Sequence, residues 1–290
     1  MANQKAIKKR LSSVKNIKKI SKALEMVAAS KVQKAQEKAL ASKPFADRIF
    51  ELMQKLDSKV SEKEIPLLRK DKITGNRLFI IVTSDRGLCG SLNSNLLRHI
   101  SSFLENFKDG TNYFITVGKK GRFFSLEHGE LLADFSDAKP KESAVTYITR
   151  SAMDEFLEKR IDSVYIVYSD FVSALNQEAK VKQILPLVGN KKAGFEEEKN
   201  IKNGSKYTYE PDETELLNMV IPFYLETQVR DVIFESEASE HSARMVAMKN
   251  ATDNADNLSY NLNLQYNKIR QQAITTEISD IVTASASLTK

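Results

Sequence analysis

The sequence predicts two long helices, one at each end of the chain, paired along their seams as an antiparallel two-helix coiled coil, with a small α/β domain between them. Three observations carry this expectation. Residues 3–58 contain no glycine and one proline, Pro44. Residues 212–288 also lack glycine and hold one proline, Pro222. Between them, over 75–190, short apolar runs alternate with amphipathic stretches, as in a sheet covered by helices.

The first helix carries Ile7, Leu11, Val14, Ile17, Ile20, Leu24 and Val27 at steps of three and four. That is a narrow stripe, not the broad face of a core helix. Leu11, Val14 and Leu24 are the expected seam residues. Pro44 should end or kink the helix near residues 42–43. Some 55 residues at 1.5 Å each would span roughly 80 Å. The last helix starts after Pro211, where Asp212 can cap it. Its later positions Leu258, Leu262, Tyr266 and Ile269, then Ile274, Ile278, Ile281, Ser285 and Leu288, have coiled-coil spacing. Leu262, Ile274, Ile278 and Ile281 are the expected seam, on a helix of about 110 Å. Because one helix enters the middle domain and the other leaves it, a paired arrangement must be antiparallel.

In the middle, strands are expected at 77–84 (RLFIIVTS), 113–117, 163–168 (SVYIVY) and 179–187, with helices at 91–107 and 143–159. This alternation is Rossmann-like and favours a largely parallel sheet. The polar, glycine-bearing stretch 189–211 reads as a surface loop. The expected domains are 1–58, 75–190 and 212–288.

Charge is uneven. The chain has a formal net charge of +6, but residues 1–38 hold eleven Lys and Arg against Glu25 and Glu37, a local net of +9. A solvated lysine face and an acidic protein partner are both compatible with that. Nucleic acid is disfavoured, because residues 1–38 contain no aromatic side chain for stacking on bases. Nothing reaches the run of about 18 apolar residues that a membrane span needs.

Candidate chemistry is sparse. The turn 84–93 (SDRGLCGSLN) and the stretch 117–122 (VGKKGR) follow strands, where phosphate loops sit. Neither matches a nucleotide fingerprint, and both read as tight turns. His99, His128 and His241 are scattered without metal-ligand spacing, and Cys89 is the sole cysteine. No catalytic residue, cofactor or metal is expected.

Three motifs resemble one family, one of them in two stretches. Residues 20–35 (ISKALEMVAASKVQKA) are similar to the N-terminal helix signature of the gamma subunits of F-type ATP synthases, the bacterial type of central stalk. Residues 238–254 (ASEHSARMVAMKNATDN) and 266–280 (YNKIRQQAITTEISD) resemble its C-terminal helix, and the turn 84–93 a third motif. The family usually has Gly-Ala where this chain has Ala284–Ser285, and often Met at Leu24, a volume-conserving exchange. The cysteine-bearing insertion of the chloroplast form is absent.

The resemblance implies a non-catalytic rotor that passes rotation of a membrane c-ring to the catalytic beta subunits. The implied partners are the alpha and beta subunits, the epsilon subunit and the c-ring. Membrane contact would come through partners only, on the cytoplasmic face of a bacterial cell membrane. It further implies beta-subunit contacts at Arg270, Gln271, Glu277, Lys22, Lys31, Asp85 and Cys89. Two other readings compete. A coiled-coil scaffold or adaptor with an α/β head would need no catalytic ring, and a nucleotide enzyme built on the Gly87–Gly90 turn would bind ATP or a dinucleotide tightly.

Overall fold

A computed structural model of the chain describes residues 2–57, 65–69, 73–107, 109–187 and 212–288. The expected loop 189–211 lies outside these. The elements in order are α1 (Ala2–Asp57), β1 (Arg77–Val82), α2 (Leu92–Leu104), β2 (Asn112–Val117), α3 (Lys119–His128), β3 (Glu130–Asp134), α4 (Val145–Leu157), β4 (Ser163–Phe171), β5 (Gln177–Leu185) and α5 (Glu213–Leu288), with short 3-10 turns at Pro66–Leu68 and Lys141–Ala144.

Neither proline ends its helix. α1 runs through Pro44 and α5 through Pro222. A proline removes one backbone donor, and nearby hydroxyls turn back onto the helix carbonyls. Ser42 Oγ donates to Ala39 O at 3.0 Å, and Thr227 Oγ1 to Phe223 O at 2.8 Å. The start of α5 is capped as expected, with Glu215 N donating to Asp212 Oδ1 at 2.8 Å.

The chain forms two compact units, Met1–Ser30 with Arg244–Lys290, and Lys31–Ala243. The division falls inside the long helices, not at the expected boundaries 1–58, 75–190 and 212–288. The reason lies in α5, whose Leu217, Ile221, Leu225, Val229, Val232 and Ile233 belong to the same core as the sheet. The first third of that helix is a layer of the α/β unit.

That unit has a five-stranded sheet in the order β3-β2-β1-β4-β5. β1 pairs parallel with β2 and β4, and β2 parallel with β3, while β5 is an antiparallel edge on β4. Side chains alternate across it. Leu78, Ile80 and Val82 enter the core shared with α4 and α5. Phe79 and Ile81 enter the second core, against Leu96, Ile100 and Leu104 of α2. Phe79 stacks between Phe114 and Tyr165, at centroid distances of 5.7 and 5.3 Å.

In the other unit α1 packs on α5. The covered positions of α1 are Ile7, Leu11, Val14, Lys18, Ser21, Glu25 and Ala28, with Leu24 half-buried beside them. Those of α5 are Met248, Thr252, Ala255, Ser259, Leu262, Tyr266, Ile269 and Ala273. Both sets step by alternating fours and threes, the heptad spacing of a coiled coil. Lys18 is paired with Asp256 across the seam. Burial on α5 stops at Ala273 while α1 begins at Ala2, which an antiparallel register through that pair requires.

Of the expected seam, Leu11, Val14, Leu24 and Leu262 are covered, while Ile274, Ile278 and Ile281 are not, and neither are Ile17, Ile20 and Leu258 of the same apolar stripes. Ile17 and Ile20 are 54% and 60% exposed, because a strict heptad passes through Lys18 and Ser21 instead. Leu258 is exposed and Ser259 buried in its place. Ile274, Ile278 and Ile281 are 47%, 56% and 64% exposed, because in the register through Lys18 and Asp256 they lie past the first residues of α1.

Candidate functional site

Two surfaces contain the expected contact residues. The first is the coiled-coil unit. Beyond Ala273, α5 runs on over residues 274–288, about 22 Å of helix. Ile274, Ile278, Ile281 and Val282 form an exposed apolar stripe there. Glu277 is exposed on this stretch, and Arg270 and Gln271 are exposed just before it. Thr275 and Thr276 fold their hydroxyls back onto the carbonyls of Gln271 and Gln272 at 2.9 and 3.0 Å, leaving the helix surface short and weakly polar. Lys22 is already engaged, with its ammonium 2.9 Å from Glu25 Oε1. Lys31 is exposed in the other unit.

The second surface is the turn after β1, in the α/β unit. β1 has β2 on one side and β4 on the other, so its C-terminal end is the switch point where open α/β sheets bind ligands. Here the polar groups of that end are used within the protein. Thr83 Oγ1 donates to Gly118 O at 3.0 Å and accepts from Gly121 N at 2.9 Å. The Lys141 ammonium donates to Thr83 O at 3.0 Å. Ser84 N donates to Asn93 Oδ1 at 3.2 Å, and Asn93 Nδ2 donates to Ser84 Oγ at 2.8 Å. Gly118 has φ +99, and a Cβ there would sit 2.1 Å from Thr83 O, so only glycine lets β2 end against β1 in this way.

The turn itself is folded around Cys89. The residue is 2% exposed, and its sulfur accepts from Asn93 Nδ2 at 3.3 Å. The contact expected at Cys89 is therefore corrected, because the thiol packs the turn from within. Leu88, with φ +65, is the residue turned outward. Asp85 is half-buried and accepts from Lys119 N at 3.3 Å, fixing the turn to the start of α3. The stretch 117–122, expected to be only a turn, is the end of β2 and the first residues of α3. Beside it the Lys119 ammonium lies 2.9 Å from Asp137, and that hydrogen bond raises its pKa.

Sequence reasoning missed the ion pair behind the turn. Lys141 and Glu240 are both buried, with Nζ 3.2 Å from Oε2. They tie α5 to the end of β1. Lys38 of α1 reaches the neighbouring Glu142 at 2.8 Å. Burial raises the pKa of Glu237 next to them, against the pull of Lys141 and Lys38. No spacing could have revealed this, since the partners are 99 and 104 residues apart.

Among the described residues, no helix is long and apolar enough to cross a membrane. The ATP synthase family model matches residues 3–288. An ATP synthase gamma chain of Chloroflexus aurantiacus is 42% identical over 299 aligned residues, covering 100% of both chains. One from Legionella pneumophila is 39% identical, covering 99% of this chain and 100% of the relative. In fold, the chain is similar to one from the rotor of the Euglena gracilis mitochondrial ATP synthase, with a TM-score of 0.64 at 20% identity, covering 94% of this chain and 99% of that one. A chain from the central stalk and c-ring structure of the Tetrahymena thermophila enzyme gives 0.59 at 22% identity, covering 80% of this chain and 99% of that one. With matches of this length and identity, the chain belongs to the ATP synthase gamma chain family.

Proposed function

We propose that the chain is the rotating central stalk of an F-type ATP synthase, carrying ion-driven rotation of a membrane c-ring to the catalytic beta subunits. The observation that supports this best is the inequality of the two helices in the coiled-coil unit. α5 outlasts α1 and ends in a lone apolar stripe, so the unit presents a different surface in every direction. A partner shifts a conformational equilibrium only through differential contacts with its states. Turned inside a ring of three alpha and three beta subunits, such a shaft meets each beta subunit with a different face and drives the three sites through different states in turn. Nucleotide chemistry stays on beta.

In this reading Arg270, Gln271 and Glu277 face the ring from α5, and the stripe from Ile274 to Val282 seats in its apolar bearing. Lys31 and the exposed lysines of α1 face acidic loops of beta, with Asp85 on the turn near them. The α/β unit takes the epsilon subunit and the c-ring. The protein is then peripheral, held to the cytoplasmic face of a bacterial membrane through its partners.

The test is to recover the tagged chain from native membranes, identify its bound subunits and assay ATPase and ATP-driven ion pumping. Recovery of alpha, beta and epsilon with ATPase activity is expected. Arg270→Ala should lower the pumping obtained per ATP hydrolysed more than it lowers hydrolysis. A chain recovered without partners, from membranes that contain the synthase, overturns the proposal in favour of a scaffold.

A further inference from the structure

Past Ile233, α5 changes the way it is held in the α/β unit. Up to that residue it buries leucine, isoleucine and valine in the core of the sheet. Phe234 is the last large apolar side chain it buries there. From 235 to 243 its buried positions are Ser236, Ala238, Ser239, Glu240 and Ser242. Side chains this small give a helix little to interlock with, so apolar packing specifies its height and rotation weakly.

Polar contacts stand where the apolar ones stop. The turn Lys141–Ala144 supplies Lys141, whose buried ammonium lies 3.2 Å from Glu240 Oε2 and donates to Thr83 O, just past β1, at 3.0 Å. The turn between β4 and β5 supplies the Ala174 carbonyl, which accepts from the buried Ser242 Oγ at 2.8 Å. That turn is itself held. Ser173 Oγ accepts from Leu175 N and Asn176 N, and Gln177 Nε2 donates to Ser173 O and Ala174 O. Glu240 and Ser242 are two residues apart, about 200° around a helix, so the two contacts grip α5 from nearly opposite sides. Glu142, next to Lys141, takes the Lys38 ammonium of α1 at 2.8 Å. Lys38 also lies over the Phe234 ring, 5.7 Å from its centre.

We propose that Lys141, Glu240, Ser242 and the Ala174 carbonyl form a collar that pins the height and rotation of α5 where its apolar grip on the sheet ends, with Lys141 as the positioning residue. Burying both charges cancels much of an ion pair's attraction, so the pair acts on position more than on stability. In the proposed rotor the collar is where turning of the α/β unit passes into α5, and slack there appears as pumping lost per ATP. That consequence rests on the rotor reading, whereas the grip itself does not.

The experiment compares the wild type with Lys141→Met, which keeps the apolar stem and leaves the Glu240 carboxylate buried without that ammonium, a costly change. In the full chain, amide exchange over 235–243 should accelerate at least tenfold, by local opening, with 217–233 unchanged. In the assembled synthase, Lys141→Met should retain ATP hydrolysis and lose at least half of the ion pumping per ATP. Phe79→Leu, on the face of the sheet away from α5, should lower the denaturant midpoint and leave pumping per ATP as it was, which separates the collar from stability. Exchange that is unchanged, or faster evenly along α5, overturns the proposal, and so does unchanged pumping per ATP in Lys141→Met. A wild-type chain recovered without partners removes the rotor reading alone, and exchange then decides the collar. Should Lys141→Met fail to fold, Ser242→Ala cuts the second contact by itself and is read in the same two ways.

Discussion

Replacing Ile274, Ile278 and Ile281 together by glutamine is expected to leave the free chain as stable as before and to loosen its seat in the subunit ring. The three side chains are 47%, 56% and 64% exposed, on a helix that has outrun its partner. Exposed substitutions away from caps and networks fall within about 0.5 kcal/mol, and glutamine is at least as good a helix former as isoleucine. Full burial of an isoleucine contributes about 1.5–3 kcal/mol. Roughly half of each side chain remains to be withdrawn from water, so each should contribute ~1 kcal/mol on insertion. Three together give ~3 kcal/mol, about a hundredfold in affinity. Guanidinium unfolding followed by circular dichroism measures the first quantity. Competition of labelled wild type and variant for reconstituted alpha–beta rings measures the second. A loss of about 2–5 kcal/mol per buried isoleucine in the free chain would put these residues back in a seam and refute the register through Lys18 and Asp256. An unchanged ring affinity would refute the apolar stripe as a contact.

Three further outcomes are expected. Phe79→Ala removes a fully buried ring stacked between Phe114 and Tyr165, and should cost ~3–5 kcal/mol by denaturant midpoint. Gly118→Ala drives a Cβ to 2.1 Å from Thr83 O at φ +99. It should cost on the order of 3 kcal/mol or abolish soluble expression, whereas Gly87→Ala, with nothing within 4 Å, should be nearly neutral. Cys89, 2% exposed, should react with iodoacetamide at least ~100-fold more slowly in the native chain than in denaturant, since the reagent must wait for local opening. Ready alkylation without loss of structure would put the thiol on the surface after all.

The long helices were legible because helical periodicity without glycine is a local property of the sequence. The strands β1, β2 and β4 were legible because a buried parallel strand is a continuous apolar run. β3 (Glu130–Asp134) was not, because its exposed positions alternate with half-buried ones and its five residues follow α3 with Gly129 alone between. The seam was legible only in part, at Leu11, Val14 and Leu262. Ile17 and Ile20 are the apolar residues in the sequence, yet the helices meet at Ser21, Ala28, Ala255 and Ser259. Small side chains let helix backbones approach closely, and a seam made of them is invisible to a search for large apolar residues. The ion pair Lys141–Glu240 was illegible for another reason, since only the folded topology brings such distant positions together.

α5 explains why one helix can serve two ends. Along Leu217–Ile233 it buries leucine, isoleucine and valine against the sheet, the interface of a core. From Met248 to Ala273 half of its covered positions are small or polar, Thr252, Ala255, Ser259 and Ala273, and apolar side chains such as Leu258 and Leu264 lie outside. Core-type burial resists displacement, because every large side chain withdrawn would leave a cavity. A thin seam holds two helices together with little area and leaves their outer faces to be covered by others. In the proposed rotor, the first half of α5 is therefore fixed to the α/β unit that receives torque. The second half keeps its apolar residues for the ring it turns against. Weakening the first interface should uncouple rotation without loosening the ring, and weakening the second should do the reverse.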